Sequence, residues 1–142
     1  MLTKTAEYAL RVVVFLASNE QEVQTRGEIA DSTLIPLAYL TKVLRSLEDS
    51  ELVEAKRGPG GGFQLSRSPN RISAYDVIEA VAELPRIHQC PLGISSHVRL
   101  CPLHARLDAV AKLAEEAFRE TKISELIPRR VRAPGCSFPL EE

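Results

Sequence analysis

The chain has 142 residues, 44% of them hydrophobic and 26% charged, with a formal net charge of −1. That length holds one domain, or a small domain with an appendage, and its core is modest enough that dimerisation would help it. The charge excludes a polyanion partner recruited by bulk charge: residues 1–72 carry nine Lys+Arg against nine Asp+Glu. Cations that meet nucleic acid must instead be gathered on one surface.

Thr5 to Ser18 reads as a helix, with Ala6, Leu10, Val13, Val14 and Ala17 on one apolar stripe. Its apolar run, Val12 to Ala17, is too short to span a membrane, and Glu7 and Arg11 share the same predicted helix. Thr25-Arg-Gly-Glu28 is a capping box, which starts a short helix near Arg26 that runs to about Ser32. A tight turn through Thr33-Leu34-Ile35-Pro36 leads to a third helix, about Leu37 to Asp49. Leu40, Val43, Leu44 and Leu47 form its buried stripe. Ala38, Thr41, Lys42 and Arg45 lie opposite, with Tyr39 at the border.

Two helices joined by a short turn, the second with a polar and basic outer face, make a helix-turn-helix. Next comes Leu52 to Lys56, which can be a strand. A glycine-rich turn over 58–62 and a return strand, Phe63-Gln64-Leu65, complete a hairpin in the position of a wing. Glycine lets the tip bend tightly and approach another backbone, with Arg57 carried at the tip. No Lys-Ser/Thr follows the glycines and no helix does, so this is neither a P-loop nor a dinucleotide fingerprint. A plain hairpin turn is the competing reading, as solvated surface is for Lys42 and Arg45.

Ser73-Ala-Tyr-Asp76 opens a further helix to about Leu84. Pro85 to Leu100 is irregular, and Pro102 opens a long helix to about Lys122. Leu103, Leu107, Val110, Ala111, Ala114, Ala117 and Phe118 give it an unbroken apolar stripe, the kind that pairs with its twin. The tail after Ile127 holds proline at three positions and reads as partly ordered at best. The fold class expected is mainly α with a small β-hairpin: a winged helix-turn-helix over residues 1–72, a cysteine loop and dimerisation helix over 73–127, and a flexible tail over 128–142.

Cys90 and Cys101-Pro102-Leu103-His104 form a C-x10-C-x2-H pattern. Cysteine and histidine are ligands of zinc and of iron–sulfur clusters, and a helix N-terminus favours thiolate. Three ligands leave a metal wanting a fourth. Two thiols without a metal and a surface histidine remain the alternative. His88 and His97 read as solvated and Cys136 as a thiol outside the site. Three cysteines, an odd number, do not suit a secreted disulfide framework, so a cytoplasmic location is expected. No nucleophile–base pair, carboxylate pair or cofactor fingerprint points to an enzyme.

Taken together these residues resemble the Rrf2 family of winged-helix transcription regulators, which includes an iron–sulfur cluster regulator and a nitric-oxide-sensing repressor. Arg57-Gly-Pro-Gly-Gly-Gly-Phe63 matches the family's wing signature. Tyr8-Ala9, Tyr39-Leu40 and a cysteine loop before a long helix also fit, over nearly all of residues 1–125. The resemblance implies a homodimer on a two-fold symmetric DNA operator. It puts Leu37, Tyr39, Lys42 and Arg45 on a recognition helix in the major groove. Arg57 and Gly60 fall on the wing, the arginine in or beside a minor groove, and Thr25 and Arg26 meet backbone phosphate. It also implies a repressor switched by an iron–sulfur cluster of the 2Fe–2S type, sensing redox state, iron–sulfur supply or nitric oxide. Relatives that bind a cluster usually carry C-x5-C-x5-C, whereas Ser95 stands at the middle position here. The ligand set implied is then Cys90, Cys101, His104 and Glu7 of the partner subunit. A regulator without a cluster, using Cys90 and Cys101 as a thiol switch, a zinc site or a protein contact, is the alternative.

Overall fold

The computed structural model describes residues 1–94 and 101–128. Ser95, His97, Cys136 and nearly all of the tail lie outside the described residues.

Among the described residues six α-helices and one hairpin follow one another, with a 3-10 turn at Pro69–Arg71 between hairpin and fourth helix: α1 (Lys4–Ser18), α2 (Arg26–Thr33), α3 (Leu37–Asp49), β1 (Val53–Lys56), β2 (Gly62–Leu65), α4 (Ala74–Glu79), α5 (Pro102–Glu120) and α6 (Ile123–Leu126). Helix α1 starts where the Thr3 hydroxyl accepts the Ala6 amide N–H. It is the central element: Ala9, Val12, Val13 and Leu16 are fully enclosed by α2, α3, the hairpin and the α4–α6 region. Each such valine or leucine side chain removed from water contributes about 1.5–3 kcal/mol before entropy is subtracted.

The capping box at α2 is formed from both sides. The Thr25 hydroxyl accepts the Glu28 N–H, and the Glu28 carboxylate accepts the Thr25 N–H at 2.7 Å. Leu34 ends α2 in the left-handed region, φ 55°. For a leucine that conformation costs about 1–2 kcal/mol, and it turns the chain sharply into Pro36 and α3. Leu40, Val43, Leu44 and Leu47 then face the core as the leucine spacing predicts.

β1 and β2 pair antiparallel, with Val53 opposite Leu65 and Lys56 opposite Gly62. Gln24 adds a bridge to the outer edge of β2, exchanging backbone hydrogen bonds of 2.9 and 2.7 Å with Phe63. The wing is therefore tied to the segment that leads into α2.

Helix α4 is shorter than the sequence predicts. It ends at Glu79 rather than near Leu84, and the chain leaves through a tighter turn in which Val81 N–H bonds to the Ile78 carbonyl. Pro85 keeps Leu84 out of a helix, because a proline disfavours helical backbone in the residue before it. Helix α5 starts at Pro102 as predicted and closes at Glu120. A short α6 follows that the sequence pattern does not announce. Ala74 N–H to the Thr121 carbonyl and Ile123 N–H to the Ile72 carbonyl, both 2.9 Å, clip the end of α5 back onto the body. No helix among the described residues is long and apolar enough to cross a membrane.

Candidate DNA interface and cysteine site

Helix α3 presents Leu37, Ala38, Tyr39, Thr41, Lys42 and Arg45 to solvent, opposite its buried leucines. Tyr39 is 58% exposed, yet it is held: its ring meets that of Tyr8 edge-on at 6.1 Å. Lys4 and Arg11 lie over the Tyr8 ring at 5.4 and 5.8 Å. Helix α1 thus adds two cations beside the recognition surface. They belong to a helix that reads from sequence as a core element, and the Tyr8 ring, the Thr33 carbonyl that accepts from Arg11 and the Glu7 carboxylate beside Lys4 bring them into place.

Thr25 and Arg26 are exposed at the N-terminus of α2. The Arg26 guanidinium donates to the Thr41 hydroxyl at 3.3 Å, which ties the start of α2 to the outer face of α3. The hydrogen bond from the Thr25 backbone, then that from its hydroxyl, holds the Glu28 carboxyl below its ordinary range. Residues 56–60 of the wing, Arg57 and Gly60 among them, are exposed. Gly58 and Gly60 take φ values of 93° and 72°, and a Cβ on either would meet nothing within 4 Å. Gly61 and Gly62 differ. A Cβ on Gly61 would collide with the Lys56 carbonyl, and one on Gly62 with the Gln24 carbonyl. Two of the wing glycines thus serve packing within the chain, while the two at the tip stay open to a partner. Cations above a helix face and at a hairpin tip, around a neutral body, are the layout that a groove and two flanking phosphate backbones require.

The second site lies at the start of α5. Cys101 is the N-cap, and its sulfur accepts the His104 N–H at 3.4 Å. Cys90 Sγ stands 3.8 Å from Cys101 Sγ. Two thiolates each ~2.3 Å from one tetrahedral ion stand about 3.8 Å apart, so the sulfur pair fits a metal centre. His104 is 4% exposed, and its Nε2 lies 2.5 Å from the Ile87 carbonyl oxygen. A carbonyl only accepts, so Nε2 carries the proton, and Nδ1 is the ring nitrogen that a neutral imidazole would offer to a metal. Glu7 is on α1, paired with Lys4 at 3.2 Å. Among the described residues no three His, Cys, Asp or Glu are grouped as a metal site. One subunit therefore brings the two cysteines together with His104 a turn away, and leaves Glu7 outside that group.

The stripe predicted on α5 is present but is not buried within the chain. Of the predicted positions Leu103, Leu107, Val110 and Ala117 are exposed and Ala111, Ala114 and Phe118 half-buried; Leu113, outside the predicted stripe, is also exposed, by 68%, and among the described residues of α5 only His104 is buried.

The Rrf2 family profile, described as an iron-dependent transcriptional regulator, matches residues 2–129. The chain belongs to the Rrf2 family. Its members are transcription regulators and not enzymes, and this protein is a DNA-binding transcription regulator. The IscR regulator of Cereibacter sphaeroides is 30% identical over 138 residues, covering 92% of this chain and 89% of that one. Among solved structures, T. potens IscR superposes with a TM-score of 0.75 at 19% identity, covering 89% of this chain and 85% of that one. The oxidized form of Staphylococcus aureus CymR gives 0.74 at 20% identity, covering 93% and 99%. At those identities the two structures bear on the fold, which is that of a winged-helix Rrf2 regulator.

Proposed function

We propose that this Rrf2 protein is a cytoplasmic homodimeric repressor of a two-fold symmetric operator, switched by a 2Fe–2S cluster at the cysteine site. The observation that carries the switch is the Cys90–Cys101 sulfur pair, 3.8 Å apart at the N-terminus of a long helix. Cys90, Cys101 and His104 Nδ1 would hold the cluster, with Glu7 of the partner subunit as fourth ligand. When bound, the cluster supplies redox-active iron. This chain's residues do the rest. Leu37, Tyr39, Lys42 and Arg45 enter the major groove, Thr25 and Arg26 meet phosphate, and Arg57 and Gly60 of the wing approach the minor groove. The exposed leucines of α5 meet their counterparts in the second subunit. A change at the cysteine site needs to alter operator binding by only ~1–3 kcal/mol to work as a switch.

The same sulfur pair supports a second reading, a reversible Cys90–Cys101 disulfide without a cluster. The experiment that decides is the visible absorption spectrum, with iron and sulfide content, of protein purified without oxygen. Coloured protein with iron and sulfide in equal amounts, lost in Cys90→Ala, is the expected result. Colourless protein that stays iron-free after reconstitution would overturn the cluster and leave the thiol switch.

A further inference from the structure

Four residues before Cys90, the chain is fastened to α5 by an arrangement that neither DNA binding nor the ligand set accounts for. Arg86 forms a fork on Asp108, Nε to Oδ1 at 3.0 Å and Nη2 to Oδ2 at 3.1 Å, and its Nη1 reaches Glu115 at 3.4 Å. The Ile87 carbonyl also accepts a hydrogen bond from the His104 ring. Two successive residues are thus held to α5 at Asp108, Glu115 and His104. Glu115 in turn bonds Arg119, which lies 3.4 Å above the Tyr75 ring on α4. Only Gln89 and His88 separate this anchorage from Cys90, so the freedom of the Cys90 sulfur is small.

We infer that the Arg86–Asp108 pair is a positioning latch that holds Cys90 against Cys101. An exposed ion pair contributes little to overall stability. Its effect here falls on geometry, because fixing residues 86–87 raises the effective concentration of one sulfur at the other. The latch rests on Cys90 and Cys101 acting as a pair, whether on a cluster or as a disulfide.

The test uses metal-free protein carrying Cys136→Ser, equilibrated with reduced and oxidised glutathione. The two thiols give up two electrons and two protons, one S–S bond forms, and oxidised glutathione becomes two thiols. Wild-type Arg86 is expected to give an intramolecular disulfide. Arg86→Ala and Asp108→Asn are expected to lower its equilibrium constant about tenfold, or ~30 mV in potential. Arg86→Lys, which keeps the charge but not the fork, should fall between. Lys112→Ala, which breaks the exposed pair with Glu116, should leave the constant unchanged. Circular dichroism should be the same for all. The latch is overturned if Arg86→Ala and Asp108→Asn stay within twofold of the parent, if Lys112→Ala shifts the constant as far, or if only mixed glutathione disulfides form. No cluster takes part in this measurement, so iron content judges the cluster reading separately.

Discussion

Gly62 lies against the backbone of Gln24 so closely that no side chain can occupy its position. The two residues sit where the wing's second strand meets the segment entering α2, beside the Gln24–Phe63 bridge. The relationship separates two glycines that look alike in the sequence. Gly62→Ala must push β2 off that bridge or move the start of α2, and should destabilise the protein by about 2–4 kcal/mol. Gly60→Ala meets no atom and pays only for its left-handed backbone, about 1–2 kcal/mol. Thermal unfolding of the two variants should rank them in that order. If Gly60→Ala were the more damaging, the tip glycines rather than Gly62 would be the packed ones.

The outer face of α3 predicts how DNA affinity divides. Arg45→Ala and Lys42→Ala should each weaken operator binding by ~1–3 kcal/mol. A variant whose lost contact is to phosphate should also lower the salt slope of log K by about one, and weaken random DNA equally. Tyr39→Ala also removes the edge-on contact to Tyr8, the ring beneath Lys4 and Arg11, so it should cost more than its own contact. Titrations at several salt concentrations with operator and random duplexes check this. Equal binding by all three variants would remove α3 from the interface.

Much of this surface was legible from local chemistry. The Thr25–Glu28 box, the leucine stripe of α3 and the run of glycines each carry their structural reason within a few residues, and each stands where the spacing puts it. What was not legible depends on partners distant in sequence. Nothing near Gly62 announces Gln24, and nothing in Lys4 or Arg11 announces a tyrosine of α3 beyond Tyr8. The clip from Ile72 to Ile123 and the fork from Arg86 to Asp108 join segments with no shared periodicity. His104 was legible as a candidate ligand, but not its burial or its bond to Ile87. That α4 cannot reach Leu84 was within reach, since Pro85 stands in the sequence and its effect on the residue before it is general, but the end at Glu79 was not.

The exposed stripe of α5 predicts the oligomeric state. Leu113 and Val110 project from the chain with little intramolecular cover. A glutamate at either position would place a charge in an apolar seam, where an unpaired charge is strongly unfavourable. Leu113→Glu should shift the protein from dimer to monomer in sedimentation analysis and weaken binding to a symmetric operator, while circular dichroism stays unchanged. A wild-type protein that sediments as a monomer at micromolar concentration would reject the seam.

Acid should loosen the start of α2 before it unfolds the core. Hydrogen bonds from Thr25 hold the Glu28 carboxyl below its ordinary range, so folding stabilises the charged form. A carboxyl depressed in this way contributes stability above its unfolded value, about 4.3, and loses it as pH falls through the lower folded value. A carbon-13 titration of Glu28 should therefore show a midpoint below that of an unstructured glutamate, and Thr25→Ala should raise it. Glu28→Gln keeps an acceptor for the Thr25 N–H but removes the charge, so the box should persist, weaker and without its dependence on acid. Because Thr25 and Arg26 stand at the proposed phosphate contact, the same substitution also removes a negative charge facing DNA. It should strengthen non-specific binding slightly as it weakens the cap, and an unchanged midpoint in Thr25→Ala would show that the box does not set the charge of Glu28.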